Sequence, residues 1–190
     1  MPKIIAFSGS PRKNGHTNTL IREILRGAES QGDDSKFYDL NAEGICPCQG
    51  CNYCRTHDGC AVQDPLQSAY EEIHQAEALI LGTPIYCRGV TAQTKIWIDR
   101  MFSMIESKDS GFAPRHPGKR VVTVYSQGYY DAAAYQNAID STNGILKGFG
   151  WYVVETLLCY NTSSPTFVLS PELLKRAYDA GQSLAKLSER

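Results

Sequence analysis

KIIAFSGSPRKNGHTNTL, residues 3–20, decides the fold. Residues 3–8 (KIIAFS) form a short apolar run that stops at a Gly/Pro turn, so they read as a buried strand. Over residues 17–27 the apolar side chains Leu20, Ile21, Ile24 and Leu25 recur at helical spacing. A polar loop containing Gly9 and Gly15 joins the two.

The same alternation runs on to the end of the chain. Residues 35–40 make a weaker strand, and residues 66–75 a helix with Tyr70 and Ile73 on its inner face. ALILGT (78–83) and RVVTVY (120–125) are further buried strands. Between them, residues 93–105 form an amphipathic helix carrying Ile96, Trp97, Met101, Met104 and Ile105. A helix at 135–149, a strand at 151–156 and a closing helix at 171–187 complete the series. Strands alternating with helices imply an α/β fold, a parallel sheet covered on both faces. Five strands in 190 residues suit a doubly wound sheet of order 2-1-3-4-5 in one domain, 1–190. The loop at about 41–65 is too long for a bare connection and is expected to be functional.

Hydrophobic residues make up 42% and charged residues 21% of the chain, an ordinary globular balance. The net charge of −1 gives no argument for nucleic acid or an anionic membrane surface, and neither is expected as a partner. No apolar run approaches the roughly 18 residues a membrane span needs. The N-terminus turns polar after Ser8, without the apolar stretch of a signal peptide. A cytoplasmic location is therefore expected, where disulfides rarely persist. The seven cysteines are then better candidates for metal or redox chemistry than for a disulfide framework.

In such sheets a ligand sits beyond the carboxyl ends of the strands, at the switch between the first and third. There the loop offers side-chain donors from Ser8, Ser10, Thr17 and Asn18, and the planar cationic fork of Arg12. It feeds a helix N-terminus, whose free N–H groups favour an anion. Neither GxxxxGK[ST] nor GxGxxG is present, so the phosphate reading rests on position, polarity and Arg12 against a plain turn. After the third strand, TPIYCRGVTAQTKIWIDR (83–100) presents Ile85, Tyr86 and Arg88 on a loop shaped by Pro84 and Gly89, apolar walls suited to a flat heteroaromatic ring. YSQGYYD (125–131), with Gly128, closes the other side of the crevice. Each tyrosine alone reads as packing.

CPCQGCNYCRTHDGC, residues 46–60, holds five of the seven cysteines. Cys48, Cys51, Cys54 and Cys60 are spaced C-x2-C-x2-C-x5-C, and four thiolates so close in sequence can surround zinc or an iron-sulfur cluster. Zinc is the weaker alternative, since its sites usually combine two separated pairs. Cys51 and Cys54 also match a thioredoxin-type CxxC, though not at the start of a helix after a strand. Thiols without any metal are the competing reading. Cys46 is the odd one out, Cys87 reads as packing, and Cys159 carries no chemical signal. His57, His74 and His116 read as solvated, and Asp99 and Arg100 as an ion pair closing a helix, with Arg100 alternatively at an oligomer contact.

GSPRKNGHTNTL and TPIYCRGVTAQTKIWIDR resemble the flavin-mononucleotide (FMN) loops of the flavodoxin-like NAD(P)H-dependent FMN reductase superfamily. Within it, CPCQGCNYCRTHDGC resembles the compact cysteine motif of the iron-sulfur flavoproteins. The likeness runs from the N-terminus to about Arg100; beyond that it rests on element order and SQG. It implies a flavodoxin-like five-stranded sheet. It places Ser8, Ser10, Arg12, His16 and Thr17, with Asn18, around the FMN phosphate, and Pro84, Ile85, Tyr86, Arg88 and Gly89 against the isoalloxazine and ribityl chain. Ser126, Gln127, Gly128 and Tyr129 would flank the pyrimidine end, and Cys48, Cys51, Cys54 and Cys60 would hold a [4Fe-4S] cluster. His16 departs from the asparagine often found before the threonine, although an imidazole also donates to phosphate.

The activity implied is hydride transfer from NAD(P)H to flavin, and onward transfer to a quinone, another small acceptor or a redox protein. The flavin carries that chemistry, so no residue is assigned as catalytic. A non-enzymatic flavodoxin-type carrier or thiol redox sensor is the alternative, and a chain that binds no flavin a third. The resemblance also implies a homodimer or homotetramer, for which the 93–105 helix with Trp97 and Phe102 offers a candidate stripe.

Overall fold

A computed structural model describes residues 3–109 and 111–186. In chain order the elements are β1 (Ile4–Ser8), α1 (His16–Glu29), β2 (Ser35–Asp39), α2 (Gln67–Gln75), β3 (Ala78–Tyr86), β4 (Gly89–Val90), α3 (Ala92–Arg100), β5 (Ile105–Lys108), β6 (Gly111–Pro114), β7 (Arg120–Ser126), α4 (Gln136–Gly148), β8 (Tyr152–Cys159) and α5 (Pro171–Lys186). The main sheet runs β2-β1-β3-β7-β8, every pair in that path parallel. This is the expected order 2-1-3-4-5 once the short β4 and the separate β5–β6 hairpin are set aside.

Period-two strands explain the two cores. Ile5 and Phe7 of β1 join Leu79, Leu81 and Val121 beneath α2, α3 and α4, with Ile73, Trp97, Met101 and Leu146. Ile4 and Ala6 point the other way, joining Ile80, Val122 and Val124 beneath α1 and α5. Burial on both faces is why these strands read as unbroken apolar runs. The outer helices α1 and α5 meet at two glycines. A Cβ on Gly27 would stand 2.0 Å from the Tyr178 carbonyl oxygen, and one on Gly181 1.9 Å from that of Ile24.

Three expectations change. The amphipathic helix stops at Arg100, becomes a single 3-10 turn over Met101–Met104, and gives way to β5. Helical spacing continues through that turn, which hides the change. The hairpin β5–β6 follows, with Gly111 at φ +118° at the start of its second strand. Trp97 is 1% exposed and packs on Phe7 and Trp151, so it belongs to the core and not to an interface stripe.

Helix α3 is seated on the first loop. Thr91 caps it, its Oγ1 accepting from the Thr94 N–H at 3.2 Å while donating to the Gly9 carbonyl at 2.8 Å. Gly9 leaves no room there: a Cβ would lie 1.8 Å from Thr94 Oγ1. The end of β1 is thereby locked against the helix that follows β3.

Candidate functional site

A cleft of about 520 Å³ opens at the carboxyl ends of β1, β3 and β7. Its floor is the start of α1. Gly15 precedes that helix, no side chain caps it, and no acid lies in its first turn. The first N–H groups of α1 therefore point outward without intrahelical acceptors. Ser10, Arg12, Asn14, His16 and Thr17 surround this end of the cleft, an arrangement of donors and positive potential.

Ser8 and Asn18 stand behind the loop. Both are buried, and the Ser8 hydroxyl donates to Asn18 Oδ1. Asn18 Nδ2 in turn donates to the Arg12 and Lys13 carbonyls at 3.0 and 3.2 Å. These two residues shape the loop and leave the cleft lining to Ser10, Arg12, His16 and Thr17. Thr17 Oγ1 and Ser126 Oγ lie 2.8 Å apart, tying α1 to the end of β7.

Pro84, Ile85 and Tyr86 form the apolar wall. They are the last residues of β3, not a free loop. The strand turns back to β4 through Cys87 and Arg88, with φ of 50° and 67°, pairing Tyr86 with Gly89. Positive φ at both central residues is the type I′ pattern, strained for side chains other than Gly, Asn or Asp. Cys87 and Arg88 are exposed at the tip, and Gly89 also lies outside the lining, so Cys87 is not a packing residue.

The far wall is Ser126, Gln127 and Gly128, joined by Thr162 and Ser163. A Cβ on Gly128 would stand 2.3 Å from Ser163 Oγ, so glycine lets the two loops meet. Gln127 is 2% exposed; its Nε2 donates to the Asp131 carbonyl at 2.7 Å, while Oε1 is buried without a partner. Tyr129 lies against Tyr130 outside the lining.

The cysteine loop is organised differently. Arg100, its side chain 0% exposed, reaches out from the end of α3 to Asp64, itself 2% exposed. The pair is bidentate, at 2.7 and 3.2 Å. The guanidinium also donates to the Cys46 carbonyl at 2.9 Å and to Tyr70 Oη at 2.9 Å. Asp64 accepts the Cys46 N–H at 2.9 Å and the Leu66 N–H at 3.0 Å. One buried ion pair thus ties the two ends of the loop together. Burial pushes the Asp64 carboxyl up, but Arg100 and the two N–H groups outweigh it and hold the group below the usual range.

Cys48, Cys51, Cys54 and Cys60 line one cavity of about 80 Å³, closed by Asp99, Arg100, Phe102 and Ser103. All four are free thiols, and Cys46 contributes backbone contacts. Burial raises the Cys54 thiol; Arg55 opposes this, and Cys60 and Cys48 add to it. A raised pKa, and a single 3-10 turn at Tyr53–Arg55 in place of a helix, depart from the thioredoxin-type pattern. Among the described residues no three His, Cys, Asp or Glu side chains converge closely enough to hold one metal ion.

A family model for NADPH-dependent FMN reductases matches residues 2–157. The chain belongs to this family. An iron-sulfur flavoprotein of Methanocaldococcus jannaschii is 38% identical over 98 residues, 52% of this chain and 51% of that protein. One from Archaeoglobus fulgidus is 26% identical over 187 residues, covering 98% and 80%. The alignments with the first relatives span about half of their length. Among solved structures, an NAD(P)H:quinone oxidoreductase from Methanothermobacter marburgensis superposes with a TM-score of 0.76 at 16% identity, over 96% of this chain and 98% of that one. A Bacillus anthracis azoreductase in complex with FMN reaches 0.67 at 13%, over 100% of each. These likenesses share the fold.

Of the sequence-derived set for this FMN reductase family member, Ser10, Arg12, His16, Thr17, Pro84, Ile85, Tyr86, Ser126, Gln127 and Gly128 share the cleft. Ser8, Asn18, Arg88, Gly89 and Tyr129 do not line it. Asn14, Gly15, Thr162 and Ser163 were missed. For the last two the signal was NTSSP (161–165), a polar turn directly after β8. Arg100 pairs with Asp64, not Asp99, and lies in no exposed surface. Lys95 takes Asp99 instead. His116 is half-buried and stacked on His74 at 4.0 Å, so this pair is not simply solvated. Among the described residues no helix is long and apolar enough to cross a membrane.

Proposed function

We propose that this chain is an FMN-dependent NAD(P)H oxidoreductase and that its cysteine loop holds a [4Fe-4S] cluster. The uncapped start of α1 inside a 520 Å³ cleft carries the flavin reading: backbone donors with Arg12, Ser10, His16 and Thr17 fit a phosphate dianion. Pro84, Ile85 and Tyr86 offer a flat apolar wall to an isoalloxazine ring. The unpartnered Gln127 Oε1 is an acceptor suited to the ring's imide N–H. Bound FMN would supply hydride acceptance from NAD(P)H and electron delivery to a quinone, another small acceptor or a redox protein. The chain's part is to anchor, orient and keep one edge open, since Tyr86 remains 44% exposed at the rim.

Four thiols lining one cavity could each meet a different iron of a cluster, and their C-x2-C-x2-C-x5-C run departs from the two separated pairs usual for zinc. Helix α3 lies between the two regions: its cap Thr91 holds Gly9, next to Ser10 of the cleft, and its last residue Arg100 lines the cysteine cavity. A homodimer or homotetramer that brings one copy's loop to another's cleft is the arrangement proposed. Phe102 and the neighbouring Phe112, 41% and 71% exposed, supply apolar surface for it. A cytoplasmic location agrees with the unpaired thiols.

The test is equilibrium dialysis with FMN, followed by steady-state NAD(P)H oxidation with a quinone. Retention at micromolar FMN with sustained turnover is expected. Retention without turnover would favour an electron carrier, and no retention would remove the flavin reading.

A further inference from the structure

Three arginines pack against the cysteine loop, and their charges are answered differently. Arg100 meets Asp64. Arg115, from the end of the β5–β6 hairpin, donates to the Cys54 and His57 carbonyls at 2.9 and 3.3 Å and faces Glu106 at 3.7 Å. Among the described residues Arg55, next to Cys54 in sequence, meets no carboxylate. Its guanidinium carbon lies 3.4 Å from the ring centre of Phe102 and 4.9 Å from that of Phe112. Both terminal nitrogens are buried, and among the described residues no acceptor reaches either of them. Arg115 Nε is likewise buried without an acceptor.

Buried N–H donors without acceptors are rare and costly. Two faces of aromatic ring stabilise a cation, yet they leave its in-plane donors unanswered. Phe102, on which Arg55 lies, itself lines the cavity of the four thiols. Arg55 itself stands outside that lining, directly after Cys54 in sequence and with Phe102 between its guanidinium and the cavity. The carboxylates of this corner are taken by other cations, Asp64 by Arg100, Asp99 by Lys95 and Glu106 by Lys108 and Arg115, and four thiolates around a cluster bring a net negative charge that Arg55 can answer.

We propose that Arg55 is the counter-charge of the cysteine site, held between Phe102 and Phe112 so that its free cation stabilises the bound anionic cluster and favours its reduction. This rests on the cluster reading above. Arg55 is a positioning and charge-tuning residue and touches no substrate. In reduction one electron enters the cluster, and no bond of the chain forms or breaks. A fixed cation nearby lowers the cost of that added negative charge.

The experiment compares wild type, Arg55→Lys and Arg55→Met, all purified without oxygen. Iron, acid-labile sulfide and FMN are assayed per chain, and the cluster is titrated with dithionite under spectroscopic observation. Arg55→Met should shift the reduction equilibrium at least tenfold against the reduced cluster, about 59 mV for one electron. Arg55→Lys should stay near wild type. If Arg55→Met loses the cluster outright while binding FMN and melting like wild type, retention in Arg55→Lys supports the charge role. Loss in both variants, or an unshifted potential in a loaded Arg55→Met, overturns it and leaves Arg55 as packing. Wild type without iron and sulfide removes the cluster reading, and this inference with it; a loaded wild type with an unshifted Arg55→Met removes this inference alone.

Discussion

The cleft and the cysteine loop sit at opposite ends of α3 and are held by different kinds of structure. The cleft is made by strand ends. Ser126, Pro84 and the α1 start are fixed by a parallel sheet buried on both faces, with Thr91 and Gly9 locking two of its loops together. The cysteine loop has no ladder of its own, and its ends depend on the Arg100–Asp64 pair. A site built on the sheet is supported by many residues, each worth little alone. A site built on a clamp fails with one substitution.

That difference is most open to challenge at Arg100. Replacing Arg100 with Met leaves Asp64 buried and unpaired, a loss of about 3–5 kcal/mol. We expect the loop to open, with rapid hydrogen exchange around residues 46–64 and loss of any bound iron, while FMN affinity changes less than twofold. Simultaneous loss of FMN would mean that the two regions are one unit.

The converse variant is smaller in effect. Arg12→Ala removes a charged donor from the cleft, worth about 1.5–3 kcal/mol, so FMN should bind roughly 10- to 100-fold more weakly. Thiol accessibility and iron content should not change. Gln127→Met is expected to weaken FMN by about fivefold, near 1 kcal/mol, while removing a buried unsatisfied acceptor from the free protein. Fluorescence titration with FMN reads both.

Acid provides the gentlest comparison. The Asp64 carboxyl is held below its ordinary value of 3.8 in the folded chain. The contribution of the clamp is therefore complete above about pH 4 and fades as pH falls through the lower folded value. Hydrogen exchange in the cysteine loop should rise as pH drops from 5 to 3, ahead of exchange in β1 and β3, after correction for intrinsic rates. An Asp64→Asn variant should show no such pH step.

The sheet was legible because its strands are buried on both faces and its loops carry Gly, Pro and Ser at the switch point. The cleft lining of Ser10, Arg12, His16 and Thr17 was legible from position, whereas Ser8 and Asn18 lie behind it, because a small polar side chain reads alike whether it braces a loop or faces a cleft. The clamp was not legible. Arg100 and Asp64 are 36 positions apart, and nothing local distinguishes a buried arginine from an exposed one beside Asp99. Thr162 and Ser163 were missed because strand β8 runs on to Cys159, past its expected end, and carries its loop to the cleft. Trp97 was misjudged because an amphipathic helix alone does not say which face meets the sheet.

The most direct measurement is an absorption spectrum of the oxygen-free protein, with flavin, iron, sulfide and zinc assayed on the same sample. We expect flavin bands over a broad visible shoulder, with iron and sulfide in equal amounts at about four per chain, as a [4Fe-4S] centre requires. Flavin bands without iron or sulfide would contradict this, and zinc in their place would assign the four thiols to a different metal.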